Sequence, residues 1–298
     1  MNERGLQEVV TPIAASDGAG VRLRRSIATE RLDHLDPFFL FDHFGSENAD
    51  DYIAGFPMHP HRGIETITYM LDGRVEHGDS LGNRGVIGAG DVQWMTAGSG
   101  IVHQEMPHGN ERGQMHGFQL WANLPSSLKM THPRYQDVSA KDIPEVTDDD
   151  GTKARIVCGT FWGRRGPVEG VAAEPQYVDI WVPPGTRRSL PVARSRNAFA
   201  YVFEGAGTFA GASGPQPVRT DVIGGEEGVA ADNRSLILFD AGDEITVQTG
   251  DEGIRFLLVS GEPIQEPVAW RGPIVMNTNE ELRVAFEEYR NGTFLKHG

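Results

Sequence analysis

Apolar and polar positions alternate over short stretches of this chain, and glycine or proline cuts the alternation every few residues. Residues 65–71 (ETITYML) are β-branched and aromatic and close on Asp72-Gly73, a strong turn signal; residues 91–95 and 117–123 have the same strand-like make-up. The pattern resumes over 177–182, 198–203, 235–239, 244–249 and 254–259. Short strands at near-regular spacing, joined by glycine turns, predict an all-β chain built as barrels or sandwiches. Between the two sets, residues 140–152 (AKDIPEVTDDDGT) combine Pro144, the acidic run 148–150 and Gly151 with no apolar period. This stretch predicts a linker, with one all-β domain over 1–139 and another over 153–298. One helix is expected near the end. Thr278-Asn279-Glu280-Glu281 fits a capping box, Leu282, Ala285, Phe286 and Tyr289 follow at helical spacing as a packing face, and Asn291-Gly292 can end it.

Composition narrows the class. Glycine supplies 37 and proline 18 of the 298 residues, yet 39% of the chain is hydrophobic, enough for a core. The formal charge of −15 opposes binding to a phosphate backbone, so no nucleic-acid partner is expected. No apolar run approaches the length of a membrane span and the N-terminus has no signal-peptide core, so a cytoplasmic protein without membrane contact is expected.

The single cysteine, Cys158, excludes an internal disulfide and every cysteine-based zinc motif, leaving His, Asp and Glu for any metal. Nine of the ten histidines precede the expected linker, and only His297 follows it. His59-Pro60-His61 puts two imidazoles at i and i+2; on an extended stretch both leave one face, with Cα atoms roughly 7 Å apart. His103-Gln104-Glu105 repeats the spacing with an imidazole and a carboxylate. Together they offer three nitrogens and one oxygen, a set suited to a divalent iron, manganese, nickel or copper ion with positions left for water or substrate. Glu65, four residues after His61 and of the same strand parity, is a rival carboxylate, and spacing alone does not choose between it and Glu105. It could equally pair with Arg62.

The stretches 35–38 (LDPF), 56–65 (FPMHPHRGIE), 90–107 (GDVQWMTAGSGIVHQEMP), 116–124 (HGFQLWANL) and 272–281 (GPIVMNTNEE) resemble the signatures of the pirin family. The likeness runs from about Arg22 through Phe286. It implies a bicupin, two cupin-type β-barrels of which only the N-terminal one binds metal, in agreement with the placement of the histidines. It further implies His59, His61, His103 and Glu105 as ligands, preferring Glu105 to Glu65, and one divalent metal per chain, Fe(II) ahead of Mn, Ni, Cu or Zn. Some pirins resemble quercetin 2,3-dioxygenases, which open a flavonol with O2 and release CO. That implies a flavonol or other phenolic or enolic substrate, with Glu105 as catalytic base, in a monomer. Others resemble metal- or redox-sensing regulators that dock a protein partner.

Other residues are weighed against plainer roles. His116 could line the pocket or support a ligand, and His43 could do so less readily. Phe56, Trp94 and Met95 are candidate apolar walls, although strand parity forbids the last two from facing inward together without a bulge. Arg22, Arg24 and Arg25 form a basic cluster that reads first as a solvated face; a basic patch continuous with the metal domain would favour protein docking. Gly205-Ala206-Gly207 lacks the third glycine of a dinucleotide fingerprint and reads as a turn.

Overall fold

The computed structural model describes residues 2–209, 216–219 and 234–297. The chain is all-β but for one α-helix and short 3-10 turns among these residues, and it divides into two compact units. One comprises Ile13–Asp142 with Ile264–Gly298, the other Met1–Pro12 with Ile143–Pro263.

This division differs from the one expected at both termini, for reasons of pairing. Leu6–Val10 forms an antiparallel ladder with Ser235–Phe239, which draws the N-terminus into the second unit. At the other end, the two short strands Ala269–Arg271 and Ile274–Met276 and the helix Asn279–Arg290 belong to the first. Val275 is wholly buried there among Phe39, Ile64, Met95, Ala97 and Ile101. The stretch expected to be a linker is itself structured: Glu145–Thr147 pairs with Lys153–Cys158, and Gly151 turns the chain between them with φ +84°. His297 therefore lies with the other nine histidines, and the second unit has none.

The histidine-bearing unit faces two sheets across a cavity. Its seven-stranded sheet runs Arg134–Val138, Val92–Thr96, Ile64–Asp72, Met115–Asn123, Phe38–Ser46, Val21–Ile27, Ile13–Asp17. A four-stranded sheet runs Phe56–His61, Ile101–His108, Arg74–Asp79, Arg84–Ile87. The chain passes between the sheets at glycines. Gly73, after the expected 65–71 strand, has φ +74°, and a Cβ there would meet the His108 carbonyl oxygen at 2.6 Å. It makes no hairpin, because the next strand joins the other sheet.

In the histidine-free unit, the strands expected over 244–249 and 254–259 are one 18-residue strand, Glu244–Gly261. The ladder with Asn197–Phe209 continues past the intervening glycines through a register shift, so the polar break marks an irregularity and not a reversal. Gly205 sits at that shift inside a strand, where its φ of +69° and a Cβ position 1.9 Å from the Gly253 carbonyl oxygen demand glycine; the expected turn is not there. The interior of this unit is filled by apolar side chains, among them Ile156, Val178, Val202 and Phe256.

The helix forms as its sequence predicts. Thr278 accepts from the Glu281 backbone N–H while the Glu281 carboxylate accepts from that of Thr278. Leu282 and Ala285 are buried, Phe286 is partly buried, and Tyr289 is exposed.

Candidate metal centre

The site is built on two neighbouring strands of the smaller sheet. His59 and His103 are directly opposed in the ladder between Phe56–His61 and Ile101–His108, and a register shift follows between His103 and Glu105. Candidate ligand atoms of His59, His61 and His103 all lie within 4.8 Å of one another. The imidazole Nε2 atoms of His59 and His61 stand 3.0 Å apart. Two nitrogens each about 2.1 Å from a single ion, at a right angle, would have about this separation.

Burial and the neighbouring imidazoles push the pKa of both His61 and His103 well below the usual histidine value, which keeps them neutral as ligands must be. Among the described residues, both ring nitrogens of His103 are buried without a hydrogen-bond partner. A neutral imidazole has one lone pair and one N–H, so a cation would take one nitrogen of each ring, and the buried His103 ring suits that role. His59 Nδ1 is 2.9 Å from the Pro57 carbonyl oxygen, an acceptor that places its proton on Nδ1 and leaves Nε2 for a ligand bond.

The corner after His61 is held from several sides. Gly63 has φ +78°, and a Cβ there would lie 1.9 Å from the Val275 carbonyl oxygen. Arg62 is buried, donates to Glu288 Oε2 at 2.7 Å and to the Phe294 carbonyl at 2.6 Å, and lies over the Phe294 ring. The corner also ends the strand parity on which Glu65 was a rival ligand. Glu65 accepts from Thr96 Oγ1 at 2.7 Å within the larger sheet and lies outside the three-histidine group.

Glu105 shares the cavity wall with His59 and His61 but is not part of the three-histidine group. Thr68 Oγ1 donates to its Oε1 at 3.2 Å. Burial raises the pKa of Glu105, opposed by the nearby imidazoles of His59 and His77 and by the Thr68 hydroxyl.

The cavity holds about 450 Å³ and is mostly apolar. Phe56 lines it as expected; Trp94 and Met95 are buried elsewhere and do not. Trp121, Trp270 and Pro273 supply walls that periodicity did not reveal. Trp121 was legible in part, since it lies two residues from Gln119 in HGFQLW and both face the cavity. His116 and His43 turn to the opposite face of their sheet, where their Nε2 atoms are 2.7 Å apart, and neither lines the cavity. His77, given no role from sequence, is opposite Glu105 in the ladder with Arg74–Asp79 and stacks on Tyr135. The basic cluster is divided by strand alternation. Arg25 lines the cavity beside Leu23, while Arg22 is exposed next to Asp51, so the three arginines do not share one face.

Comparison with known proteins gives the same assignment along the whole chain. Residues 20–122 match the family model Pirin, and residues 177–295 match that of the pirin C-terminal cupin domain. The chain belongs to the pirin family. A pirin-like protein of Caulobacter vibrioides is 42% identical, over 99% of this chain and 100% of that one. Human pirin is 39% identical, over 93% and 89% respectively. A crystal structure of quercetin 2,3-dioxygenase from Acinetobacter baumannii superposes with a TM-score of 0.83 at 28% identity, covering 98% of each chain. The two all-β units are thus cupin units, as the motif likeness implied.

Proposed function

We propose that this pirin is a metal-dependent dioxygenase that opens flavonols such as quercetin with O2 and releases CO. The observation that carries the proposal is the convergence of His59, His61 and His103, with both nitrogens of His103 buried and unpartnered among the described residues, at a cavity that His59 and His61 line. The likeness to the Acinetobacter baumannii quercetin 2,3-dioxygenase supports it.

His59, His61 and His103 would hold the ion, Fe(II) ahead of Mn, Ni, Cu or Zn, with Glu105 as the fourth ligand or at its edge. When bound, the ion supplies Lewis acidity toward the flavonol 3-hydroxyl and the electron exchange that reaction with O2 requires. Glu105 takes the 3-hydroxyl proton onto a carboxylate oxygen. Its raised pKa makes it a better proton acceptor than an ordinary surface carboxylate. Thr68, donating to Oε1, holds that carboxylate in place and itself donates to Gln119 in an alternative bond at 2.7 Å. Phe56, Trp121 and Trp270 enclose the rings and exclude water.

The test is anaerobic reconstitution with Fe(II), followed by quercetin and O2, measuring flavonol loss and CO together. Saturable turnover with matching CO is expected, and His103→Ala should lower kcat/KM by at least on the order of 100-fold. No turnover above free iron, with one ion tightly bound per chain, would remove the dioxygenase reading.

A further inference from the structure

One face of the cavity breaks its apolar lining in an ordered way. Gln93, Thr68, Gln119, Asp42 and Arg25 are directly opposed, each to the next, on five successive strands of the seven-stranded sheet. Residues opposed in this way share a face. The last four line the cavity. With about 4.8 Å between strands, the row carries Arg25 roughly 14 Å along the sheet from Thr68. Thr68 meets Glu105, so the row runs from the histidine end of the cavity to Arg25 at the other.

Arg25 is held rigidly. Its Nε donates to Asp42 Oδ1 at 2.8 Å and its Nη2 to Asp42 Oδ2 at 2.6 Å, and Nη2 also donates to Asp17 Oδ2 at 2.7 Å. Among the described residues its Nη1 has no partner. Burial pushes the Asp42 carboxyl up to about 6 against the pull of Arg25, so it is ionised at pH 7. Two carboxylates and one guanidinium then leave the cluster with one net negative charge.

We propose that Arg25, Asp42 and Asp17 form a specificity-determining anchor for the end of the ligand remote from the histidines. It selects an aromatic ligand with a neutral hydroxyl there over one with a carboxylate. A hydroxyl can accept from Nη1 and donate to a carboxylate lone pair at once; a ligand carboxylate only accepts, and meets net negative charge. This inference rests on the same cavity taking a flavonol and adds what its far end must carry.

The test uses the metal-loaded protein under argon, where no turnover occurs, and follows quenching of tryptophan fluorescence. The probes are 3-hydroxyflavone and its analogues bearing a hydroxyl or a carboxylate at the 4′ position. A second pair substituted at the 7 position covers the opposite orientation of the rings. For one of the two pairs the wild type should bind the hydroxyl analogue at least about tenfold more tightly than either the carboxylate or the parent. Asp17→Asn with Asp42→Asn changes the cluster from net −1 to net +1 and should reverse the preference between hydroxyl and carboxylate. If the double variant does not fold, Asp17→Asn alone, at a half-exposed position, should narrow that preference by about threefold or more. Equal binding of all probes by the wild type overturns the proposal, as does an unchanged preference in a folded variant. Failure to bind any of them overturns it as well. The two readings separate cleanly: discrimination without turnover keeps the anchor and removes the dioxygenase, and turnover without discrimination does the reverse.

Discussion

Lys129 shows how much of the site's geometry depends on single buried polar groups. It is 2% exposed, and its Nζ donates to the Gly63 carbonyl at 2.9 Å, to Asn123 Oδ1 at 2.7 Å and to the Val275 carbonyl at 3.1 Å. Those acceptors belong to the corner beside His61. Lys129→Met would leave all of them buried without this donor, at a cost of about 2–4 kcal/mol. Burial also lowers the lysine pKa from 10.5 to about 8, opposed by Glu266 and Glu281. Between those two values the unfolded chain binds a proton that the folded chain has released, so stability rises with pH there, by at most about 1.4 kcal/mol per unit. Below pH 8 both states are protonated and this slope vanishes. Urea unfolding at pH 7.5 and 9.5 checks both statements: the gap between wild type and Lys129→Met should widen at the higher pH. A gap that does not change would show that the buried ammonium keeps its proton. Nothing in the sequence marks Lys129, because its acceptors come from segments far apart along the chain.

Among the elements, the corner at Arg62-Gly63 decides most, since it carries the chain from the ligand strand of one sheet into the other. Gly63→Ala forces a Cβ onto the Val275 carbonyl and a side chain into positive φ. The strain is expected to cost at least about 2–3 kcal/mol and to displace His61. Isothermal titration with Ni(II) should show weaker metal binding in this variant even where circular dichroism shows it folded. Undiminished affinity would mean that the corner does not position His61. The sequence showed the HxH and HxE pairs and the capping box because each is local, set by spacing along one strand or one helical turn. Spacing alone kept Glu65 level with Glu105, because a parity argument holds only within an unbroken strand, and Gly63 breaks this one. The sequence missed Arg25, Thr68 and Gln119 as cavity residues for a related reason. Their shared row exists only after five strands have been aligned in register.

At the scale of the whole molecule, one pattern of short strands serves two different interiors. In one unit the sheets enclose a cavity with histidines in its wall; in the other, Ile156, Val178, Val202 and Phe256 belong to a packed apolar core with no histidine available. The two halves were legible from strand spacing and the half with the candidate metal centre from the positions of the histidines. The assignment of the termini was not, because Leu6–Val10 finds its partner more than two hundred residues away. This asymmetry confines the effect of a metal. An ion that binds only the folded histidine-bearing unit stabilises that unit by RT ln(1 + [M]/Kd), about 2.7 kcal/mol at a hundredfold excess over Kd. Hydrogen exchange followed by mass spectrometry, with and without Ni(II), should therefore show slower exchange in Phe56–His61 and Ile101–His108. Exchange in Lys153–Cys158 and Gln176–Val182 should not change. Equal slowing in both units would place metal contacts outside the three histidines, whereas a chelator-reversible effect limited to the first would confine the site to the unit that holds them.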